Sequence, residues 1–274
     1  MPKLDILIAA YGPESLENIA RLNHPKHPGV RYIVGWQKYD VTKIPECLKT
    51  RSDFKLHLED SIGLCNNRNS LLNVSDAPLV LISDDDLEYS ASQLESLLRA
   101  WEENPDAHFL TFRYHSDNFP KHYPKYSFNL KKAPKGYFVT SMELSLNIKN
   151  IRRDFRNKDI LRFDTKFGIN GSMFGSGEED LLIAEMLKMG LEGKFIPEEI
   201  CTNTDSTTSE RIGNSKDFIS TKGAVISIIK PNTWILRMLT HAWRATKQQG
   251  GKHISFFTYC KWWISGVNKI RTKS

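Results

Sequence analysis

Leu79-Val80-Leu81-Ile82-Ser83-Asp84-Asp85-Asp86 joins an apolar run of strand length to three consecutive carboxylates. In an open α/β sheet, ligands bind outside the carboxyl ends of the strands, where these aspartates are expected to lie. A hard divalent cation is commonly held by one or two carboxylates together with substrate phosphates. The stretch therefore predicts a metal-dependent enzyme that acts on a phosphorylated or nucleotide substrate. A solvated acidic turn is the alternative, and the apolar run in front of the aspartates is less consistent with it.

The composition is that of a soluble globular protein, with 40% hydrophobic and 26% charged residues among 274. This length allows one large α/β domain with an appendage. Residues 1–11 lack the features of a secretory signal, and no apolar stretch reaches the roughly 20 residues of a membrane-spanning helix. The four cysteines are widely spaced without a CxxC pair, which favours neither a zinc site nor a disulfide framework. We therefore expect a cytoplasmic protein with reduced thiols.

Strand-like and helical patterns alternate along the first half of the chain. Apolar runs of strand length lie at 4–10, 31–35, 54–58, 78–82 and 108–114, and helical patterns lie at 15–22, 66–72 and 91–101. Ser90 and Gln93 form a capping-box pattern at the start of the third helix. This alternation predicts a largely parallel sheet covered by helices on both faces. Residues 116–135 are predicted to form a long functional loop, and residues 137–147 one or two strands.

Five short segments together resemble family 2 glycosyltransferases of the GT-A fold, in the order in which that family has them. They are the first strand with Tyr11-Gly12, Gly63…Arg68-Asn69, Ser83-Asp84-Asp85-Asp86, Phe163-Asp164-Thr165-Lys166-Phe167-Gly168 and Gly177-Glu178-Glu179-Asp180-Leu181-Leu182. The resemblance implies an α/β fold with a Rossmann-like, mostly parallel central sheet flanked by helices. It places a GT-A catalytic domain at 1–215, with a nucleotide-sugar half at about 1–115 and an acceptor half at about 116–215. Residues 216–274 are then a basic, aromatic helical extension.

The resemblance also implies roles for individual residues. Asp86, with Asp84 as helper, is expected to bind Mn²⁺ or Mg²⁺ between the donor phosphates, and the ion neutralises charge on the leaving diphosphate. Asp180 is expected to act as general base on the acceptor hydroxyl, and Glu179 is the alternative base one residue earlier. The expected donor-binding residues are Ala10, Tyr11, Gly12, Gln37, Gly63, Arg68, Asn69, Asp84 and Asp85.

The chain departs from the family pattern at two places. The second strand of the family commonly ends in a pair of aspartates, whereas here Trp36 and Gln37 follow Gly35. Gln37 is a candidate for pairing with the nucleobase and Trp36 for stacking on it, or both are ordinary surface residues. A histidine often found after the last strand is replaced by Cys201-Thr202-Asn203-Thr204-Asp205, in which Asn203 and Asp205 are weak substitutes.

The positive charge of the chain is concentrated at its C-terminal end. Residues 218–274 contain ten Lys or Arg and no Asp or Glu, which leaves residues 1–217 with a net charge of −4 out of an overall +6. On a helical wheel, residues 254–270 place aromatic and aliphatic side chains opposite a polar face that carries lysines. Such a helix lies in a membrane interface or packs back on the catalytic domain, and the sequence leaves both alternatives open.

These patterns and the resemblance predict a metal-dependent, inverting hexosyltransferase. It is expected to move a sugar from a nucleotide-diphosphate donor, a UDP-sugar, to a saccharide or lipid-linked saccharide in surface polysaccharide synthesis. An anionic membrane surface is an expected partner of residues 254–274, on the inner face of the plasma membrane, and no nucleic acid is expected. One alternative is a non-catalytic sugar-nucleotide or glycan binding module on the same scaffold. Another is a haloacid dehalogenase-type phosphatase, whose motif Asp84-Asp85-Asp86-Leu87 superficially fits but normally ends the first strand.

Overall fold

A nine-stranded, mostly parallel sheet organises the part of the chain that the computed structural model describes, residues 2–117, 120–155, 161–203, 215–247 and 254–272. The strands are β1 Leu4–Tyr11, β2 Val30–Gln37, β3 Phe54–Glu59, β4 Leu79–Asp84, β5 Leu87–Glu88, β6 Phe109–His115, β7 Phe128–Asn129, β8 Leu144–Asn147 and β9 Gly193–Asn203. Their order is β3-β2-β1-β4-β8-β6-β9-β5, and β7 pairs with β9. Strands β5, β7 and β8 run antiparallel to their neighbours and the other strands share one direction. The predicted mostly parallel sheet is confirmed.

Helices cover both faces of this sheet. They are α1 Gly12–Leu22, α2 Glu46–Lys49, α3 Leu64–Val74, α4 Ala91–Glu103, α5 Ile148–Asp154, α6 Glu178–Lys188, α7 Lys216–Ile229, α8 Trp234–Lys247 and α9 Phe256–Arg271. Because side chains alternate along a strand, Ile6 and Ile8 of β1 pack with apolar residues of α1 and α4, whereas Leu7 packs with those of α3, α5 and α6. The continuous apolar runs of β1 and β4 are thus explained by burial on both sides.

Two helix starts illustrate what the local sequence determines. The Ser90 hydroxyl accepts a hydrogen bond from the Gln93 amide at 3.1 Å, and the Gln93 side chain accepts one from the Ser90 amide at 2.8 Å. The predicted capping box is therefore confirmed. By contrast, α1 begins at Gly12, three residues before the predicted start, because Pro13 fits the first turn of a helix.

The segment predicted as a long loop is fastened to the domain by a buried ion pair. Only β7 and a single 3₁₀ turn, Leu130–Lys132, interrupt the irregular path of its described residues. The Lys121 ammonium donates to Glu143 at 2.7 Å and to the carbonyl of Phe138 at 2.7 Å, and the Tyr123 hydroxyl also donates to Glu143. The strands predicted over 137–147 are reduced to β8, since Ser141–Glu143 form a 3₁₀ turn that holds this carboxylate inside.

The C-terminal extension is a three-helix unit with its own apolar cluster. Helices α7 and α9 approach so closely that a Cβ added to Gly266 would lie 1.8 Å from the carbonyl oxygen of Ser220, and one added to Gly223 would lie 2.3 Å from that of Trp263. A second cluster attaches the unit to the rest of the chain, with Val225 of α7 packing among phenylalanines of the 167–174 turn. The predicted boundary near residue 215 adjoins residues 204–214, which lie outside the described ranges, so it remains a prediction.

Helix α9 buries most of its aromatic and aliphatic face, for which the sequence allowed either a membrane interface or packing on the protein. Tyr259, Trp263 and Val267 are buried in the cluster shared with α7 and α8. Most of the aromatic face is therefore used for packing, as in the second alternative, and membrane contact through the rest of the helix stays a prediction. Phe257 remains 82% exposed and Ile264 39% exposed. In the described part of the chain, no helix is long and apolar enough to cross a membrane.

Candidate active site

A cavity of about 930 Å³ lies at the carboxyl ends of β1 and β4. Its size is in the range of small-molecule and cofactor sites. One side is formed by the ends of these strands and by Asp84, Asp85 and Asp86. The opposite sides come from residues 136–142, from the start of α6, and from α7 and α8 of the extension. From the sequence, site residues are predicted at the strand ends and at the start of α6, but none in residues 136–142, α7 or α8.

Arg68 is the centre of the charged network beneath the cavity. Its side chain is 1% exposed and donates to Asp84 at 2.9 Å, to Glu178 at 3.2 Å and to Glu179 at 3.3 Å. Burial raises the pKa of Glu178, and the charge of Glu179 adds to this, while Arg68 lowers it. One guanidinium thus holds together carboxylates from β4 and α6. The terminal nitrogens of Arg68 bind and orient these acids, while the side chain also lines the cavity, so its expected contact with the donor stays a prediction.

Asp84 ends β4, Asp85 and Asp86 form the turn to β5, and all three line the cavity; we call them the aspartate turn. Asp84 also accepts a hydrogen bond from the Ser141 hydroxyl at 3.4 Å. Asn203, at the end of β9, pairs in register with Leu87 and lines the same cavity, whereas Asp205 lies outside the described residues. The available ligand atoms are carboxylate and amide oxygens, which suit a hard divalent cation.

A complete protein cage for a metal is absent from the described residues, because no three His, Cys, Asp or Glu side chains converge as a cation site. Mg²⁺ and related ions are usually held by one or two carboxylates and by substrate phosphates, so a partial set of oxygen ligands is sufficient. Asp84 and Asp86 fit such a cation when the phosphates of a substrate complete its coordination.

Asp180 lies in the first turn of α6 with its carboxylate open to the cavity. Although solvent reaches this group, it is surrounded by protein, and this burial raises its pKa to about 6. The negative charge of Glu179 contributes to this rise, while Lys222 and Lys121 oppose it. Glu179 differs from its neighbour because it is bound to Arg68. Asp180 makes no hydrogen bond to another described side chain and is available to a ligand.

The turn that leads into α6 also brings the extension to the site. Gly177 has φ +94°, a left-handed conformation that favours glycine, and a Cβ there would lie 2.6 Å from Val225 of α7. This contact allows α7 to pack directly over the start of α6. Thr221, Lys222 and Val225 consequently line the cavity beside Asp180.

The second strand does not offer a stacking surface. Trp36 is fully buried, and its indole nitrogen donates to the carbonyl of Gly12 at 2.8 Å, so the interpretation of Trp36 as a base-stacking or surface residue is wrong. Gln37 lines the cavity, but its amide nitrogen donates to the carbonyls of Ser61 and Gly63. This residue therefore holds the 61–63 turn in place beside the strand end.

The predicted donor-binding residues divide into two groups. Those that line the cavity are Ala10, Tyr11, Gln37, Arg68, Asp84 and Asp85, and those that do not are Gly12, Gly63 and Asn69. Asn69 is buried, donates to the carbonyl of Phe163 at 2.9 Å and accepts from its amide at 2.8 Å. The expected donor contact of Asn69 is corrected to a structural link between α3 and the 163–168 segment.

Four basic residues of the extension line the cavity although sequence reasoning did not assign them to the site. They are Lys222, Lys230, Arg237 and His241. The signal that points to them is the absence of acidic residues from 218 onward, because it leaves these cations without sequence-local partners. Composition alone does not show which surface they face.

Part of the sequence matches a known protein family. Residues 52–175, slightly less than half of the chain, match the model of Glycosyl transferase family 2. The matched residues include Arg68, the three aspartates and the 163–168 segment, whereas Asp180 lies beyond them. No curated protein sequence matches the chain.

Solved structures share the architecture at low sequence identity. S. aureus TarS 1–349 in complex with UDP-GlcNAc matches with a TM-score of 0.61 and 13% identity over 99% of this chain and 73% of that chain. The complex of TarS 1–349 with UDP has a TM-score of 0.58 and 15% identity over 84% and 66%. Mannosyltransferase PcManGT from Pyrobaculum calidifontis, in complex with GDP-Man and Mn²⁺, has a TM-score of 0.51 and 12% identity over 99% and 73%. The chain spans 66% and 41% of the first two TarS chains that it matches.

The sequence match and the shared architecture support one assignment. The predicted resemblance to family 2 glycosyltransferases is confirmed by the match over residues 52–175, and the chain shares its α/β architecture with solved glycosyltransferase structures of the GT-A fold.

Proposed function

We propose that the chain is a metal-dependent, inverting hexosyltransferase. It transfers a sugar from a nucleotide-diphosphate donor, a UDP-sugar, to a saccharide or lipid-linked saccharide acceptor. The observation that carries this proposal is that Asp84, Asp86 and Asp180 line one cavity. The neighbours solved with UDP, UDP-GlcNAc, and GDP-Man with Mn²⁺ support a nucleotide-sugar donor and a divalent ion.

Asp86 and Asp84 would hold Mn²⁺ or Mg²⁺ together with the donor phosphates. An ion bound there supplies positive charge that stabilises the leaving diphosphate. Arg68 keeps Asp84 in one orientation through the 2.9 Å hydrogen bond. Arg68 is therefore a positioning residue in this proposal, and Asn203 adds an amide oxygen at the same edge.

Asp180 is the proposed general base. The acceptor oxygen attacks the anomeric carbon while the bond from this carbon to the diphosphate oxygen breaks. The hydroxyl proton goes to the Asp180 carboxylate, and the diphosphate leaves with the bonding electron pair. A single displacement of this kind inverts the configuration at the anomeric carbon. Glu179 is the weaker candidate because its carboxylate is bound to Arg68, and a pKa near 6 suits a base at neutral pH.

The donor part of the proposal is tested by thermal shift, since a ligand that binds the folded state raises its apparent stability. The full chain is heated with UDP-glucose, UDP-GlcNAc or GDP-mannose, in Mn²⁺ and in EDTA. We expect a rise in Tm for a UDP-sugar in Mn²⁺ that Asp86→Ala removes and that Asp106→Ala, at an exposed aspartate, keeps. An equal shift in the Asp86→Ala variant would reject the metal assignment.

We also propose that the enzyme works in surface polysaccharide synthesis, on the inner face of the plasma membrane. The supporting observation is that α9 leaves Phe257, Lys261 and Ile264 at the surface within an acid-free segment. Co-sedimentation with phosphatidylglycerol vesicles is expected to fall in the Phe257→Ser/Ile264→Ser variant. It is expected to stay unchanged when the exposed Val41 and Leu58 are replaced by Ser instead. Equal sedimentation of the two variants would contradict membrane contact through α9.

Neither alternative function is favoured by a specific observation. The aspartates follow β4, with three parallel strands before them in the chain, whereas the phosphatase motif normally ends the first strand. A purely binding module has no need of an accessible carboxylate such as Asp180 beside the aspartate turn.

A further inference from the structure

The extension contributes a group of cationic and basic side chains to the cavity. Lys222 of α7, Lys230 directly after α7, and Arg237 and His241 of α8 line it, and we call these four residues the basic wall. They belong to a segment, 218–274, that contains no acidic residue. The positive charge of the wall is therefore not balanced from within the extension.

Lys222 connects the wall to the proposed base. Burial lowers its pKa, Asp180 raises it, and Arg244 lowers it. Among the described residues, Lys222 makes no hydrogen bond or ion pair within 4 Å, so its ammonium group is near Asp180 without being neutralised by a contact.

The cations of the wall are also close to one another. Burial and the charges of Lys222, Arg244 and Arg237 together lower the pKa of His241 to about 4, with burial as the largest cause. Three positive groups thus surround one imidazole, which itself stacks on Trp263 with the ring centroids 5.6 Å apart. Like charges held together in a cleft repel one another, and they concentrate a field that attracts an anion.

The position of the wall indicates which substrate supplies this anion. The donor diphosphate is proposed to bind at the opposite side, where Asp84 and Asp86 hold its cation. Helix α7, which carries Lys222, packs against the start of α6 at Gly177, where Asp180 lies one turn further on. The wall consequently lies on the side of the base, where the attacking hydroxyl must approach.

We propose that the acceptor carries an oxyanion, a phosphate ester or a carboxylate, close to its attacking hydroxyl, and that Lys222, Lys230 and Arg237 bind this group. The inference rests on the glycosyl transfer proposed above and narrows its acceptor class. Arginine binds phosphate and carboxylate through two parallel hydrogen bonds, while lysine acts as a point charge. Val225, Ile226 and Ile229 supply apolar contacts between the cations.

Binding of three small probes to the full chain tests the inference. Glycerol, glycerol 1-phosphate and glycerate are titrated in the presence of Mn²⁺ and UDP, by calorimetry and by the imidazole NMR signals of His241, assigned with His241→Asn. We expect at least one anionic probe to bind about tenfold or more tightly than glycerol and to shift the His241 signals. The probe that binds distinguishes a phosphate-bearing acceptor from a carboxylate-bearing one.

A matched pair of variants locates the effect. Lys230→Gln/Arg237→Gln removes one charge each from α7 and α8 inside the cavity, and Lys216→Gln/Lys247→Gln removes one from each helix outside it. The first variant is expected to weaken the anionic probe about 10- to 100-fold, and the second to leave it unchanged. Equal binding of all three probes, or equal affinity of the two variants, overturns the inference.

UDP affinity separates this inference from the proposed function. If Lys230→Gln/Arg237→Gln weakens UDP and not the anionic probe, the wall serves the donor and the inference is wrong while glycosyl transfer stands. If the wild-type chain binds no nucleotide, the proposed function fails, and the acceptor assignment that rests on it fails too, whatever the probes show.

Discussion

Replacement of Arg68 by Met removes the cation that three carboxylates share. The side chain is 1% exposed, and its partners Asp84, Glu178 and Glu179 are 29%, 5% and 18% exposed. Breaking a buried ion pair from one side costs about 3–5 kcal/mol, because the remaining charge is left uncompensated. Met preserves most of the volume, so the loss is expected from charge and not from a cavity. We therefore expect the free energy of unfolding to fall by about 3–5 kcal/mol.

The pH dependence of this loss separates electrostatics from packing. Arg68 opposes the rise in the pKa of Glu178, so this pKa rises further without the guanidinium, and a raised pKa in the folded state means that ionisation destabilises the fold. Protonation relieves the repulsion, so urea unfolding should show a larger deficit at pH 8 than at pH 5.5. The control is Arg153→Met, which breaks an exposed pair with Asp154 and should cost less than about 1 kcal/mol. A deficit for Arg68→Met below about 1 kcal/mol, or one independent of pH, would refute the reasoning.

Further predictions concern the base and the fastened loop. Asp180→Asn is expected to lower transfer about 10²- to 10⁴-fold while leaving the donor Kd unchanged, and parallel losses of rate and donor affinity would contradict a role as base. Because the pKa of Asp180 is raised to about 6 and the base must be ionised, kcat/KM for the acceptor should fall as the pH drops below about 6, whereas a flat profile from pH 5 to 7.5 would be inconsistent with this. Glu143→Gln leaves Lys121 in a buried site without its carboxylate, so urea unfolding should show a loss of about 3 kcal/mol, and a neutral effect would show that the loop is held by other contacts.

The order of elements and the aspartate turn followed from sequence because they depend on local patterns. The apolar run before Asp84 is continuous because β4 is central in the sheet and buried on both faces, which periodicity detects. The alternation of strands and helices was sufficient to predict a mostly parallel sheet. The capping box at Ser90 was readable for the same reason, since its partners are three residues apart.

The side-chain contacts that the sequence did not predict join distant segments. Arg68 and Asn69 are adjacent, but successive residues on a helix point about 100° apart, and one side chain reaches the carboxylates while the other reaches Phe163. Trp36 is inside the domain because α1 covers its face of the sheet and the Gly12 carbonyl accepts its indole hydrogen, which the sequence around it does not show. The charge of the extension was evident from composition, but its position over the cavity depends on the close approach of α7 to Gly177.

The central claim is that the aspartate turn and the donor phosphates together hold a divalent ion. The proposed sugar transfer and the proposed class of acceptor both depend on this placement of the donor. The most direct measurement is a crystal structure of the full chain, determined from crystals soaked with Mn²⁺ and UDP. Anomalous diffraction then locates the manganese. We predict one strong anomalous peak coordinated by Asp86 and Asp84 and by the diphosphate of UDP. A peak elsewhere, or UDP bound with these side chains directed away from it, would contradict the account.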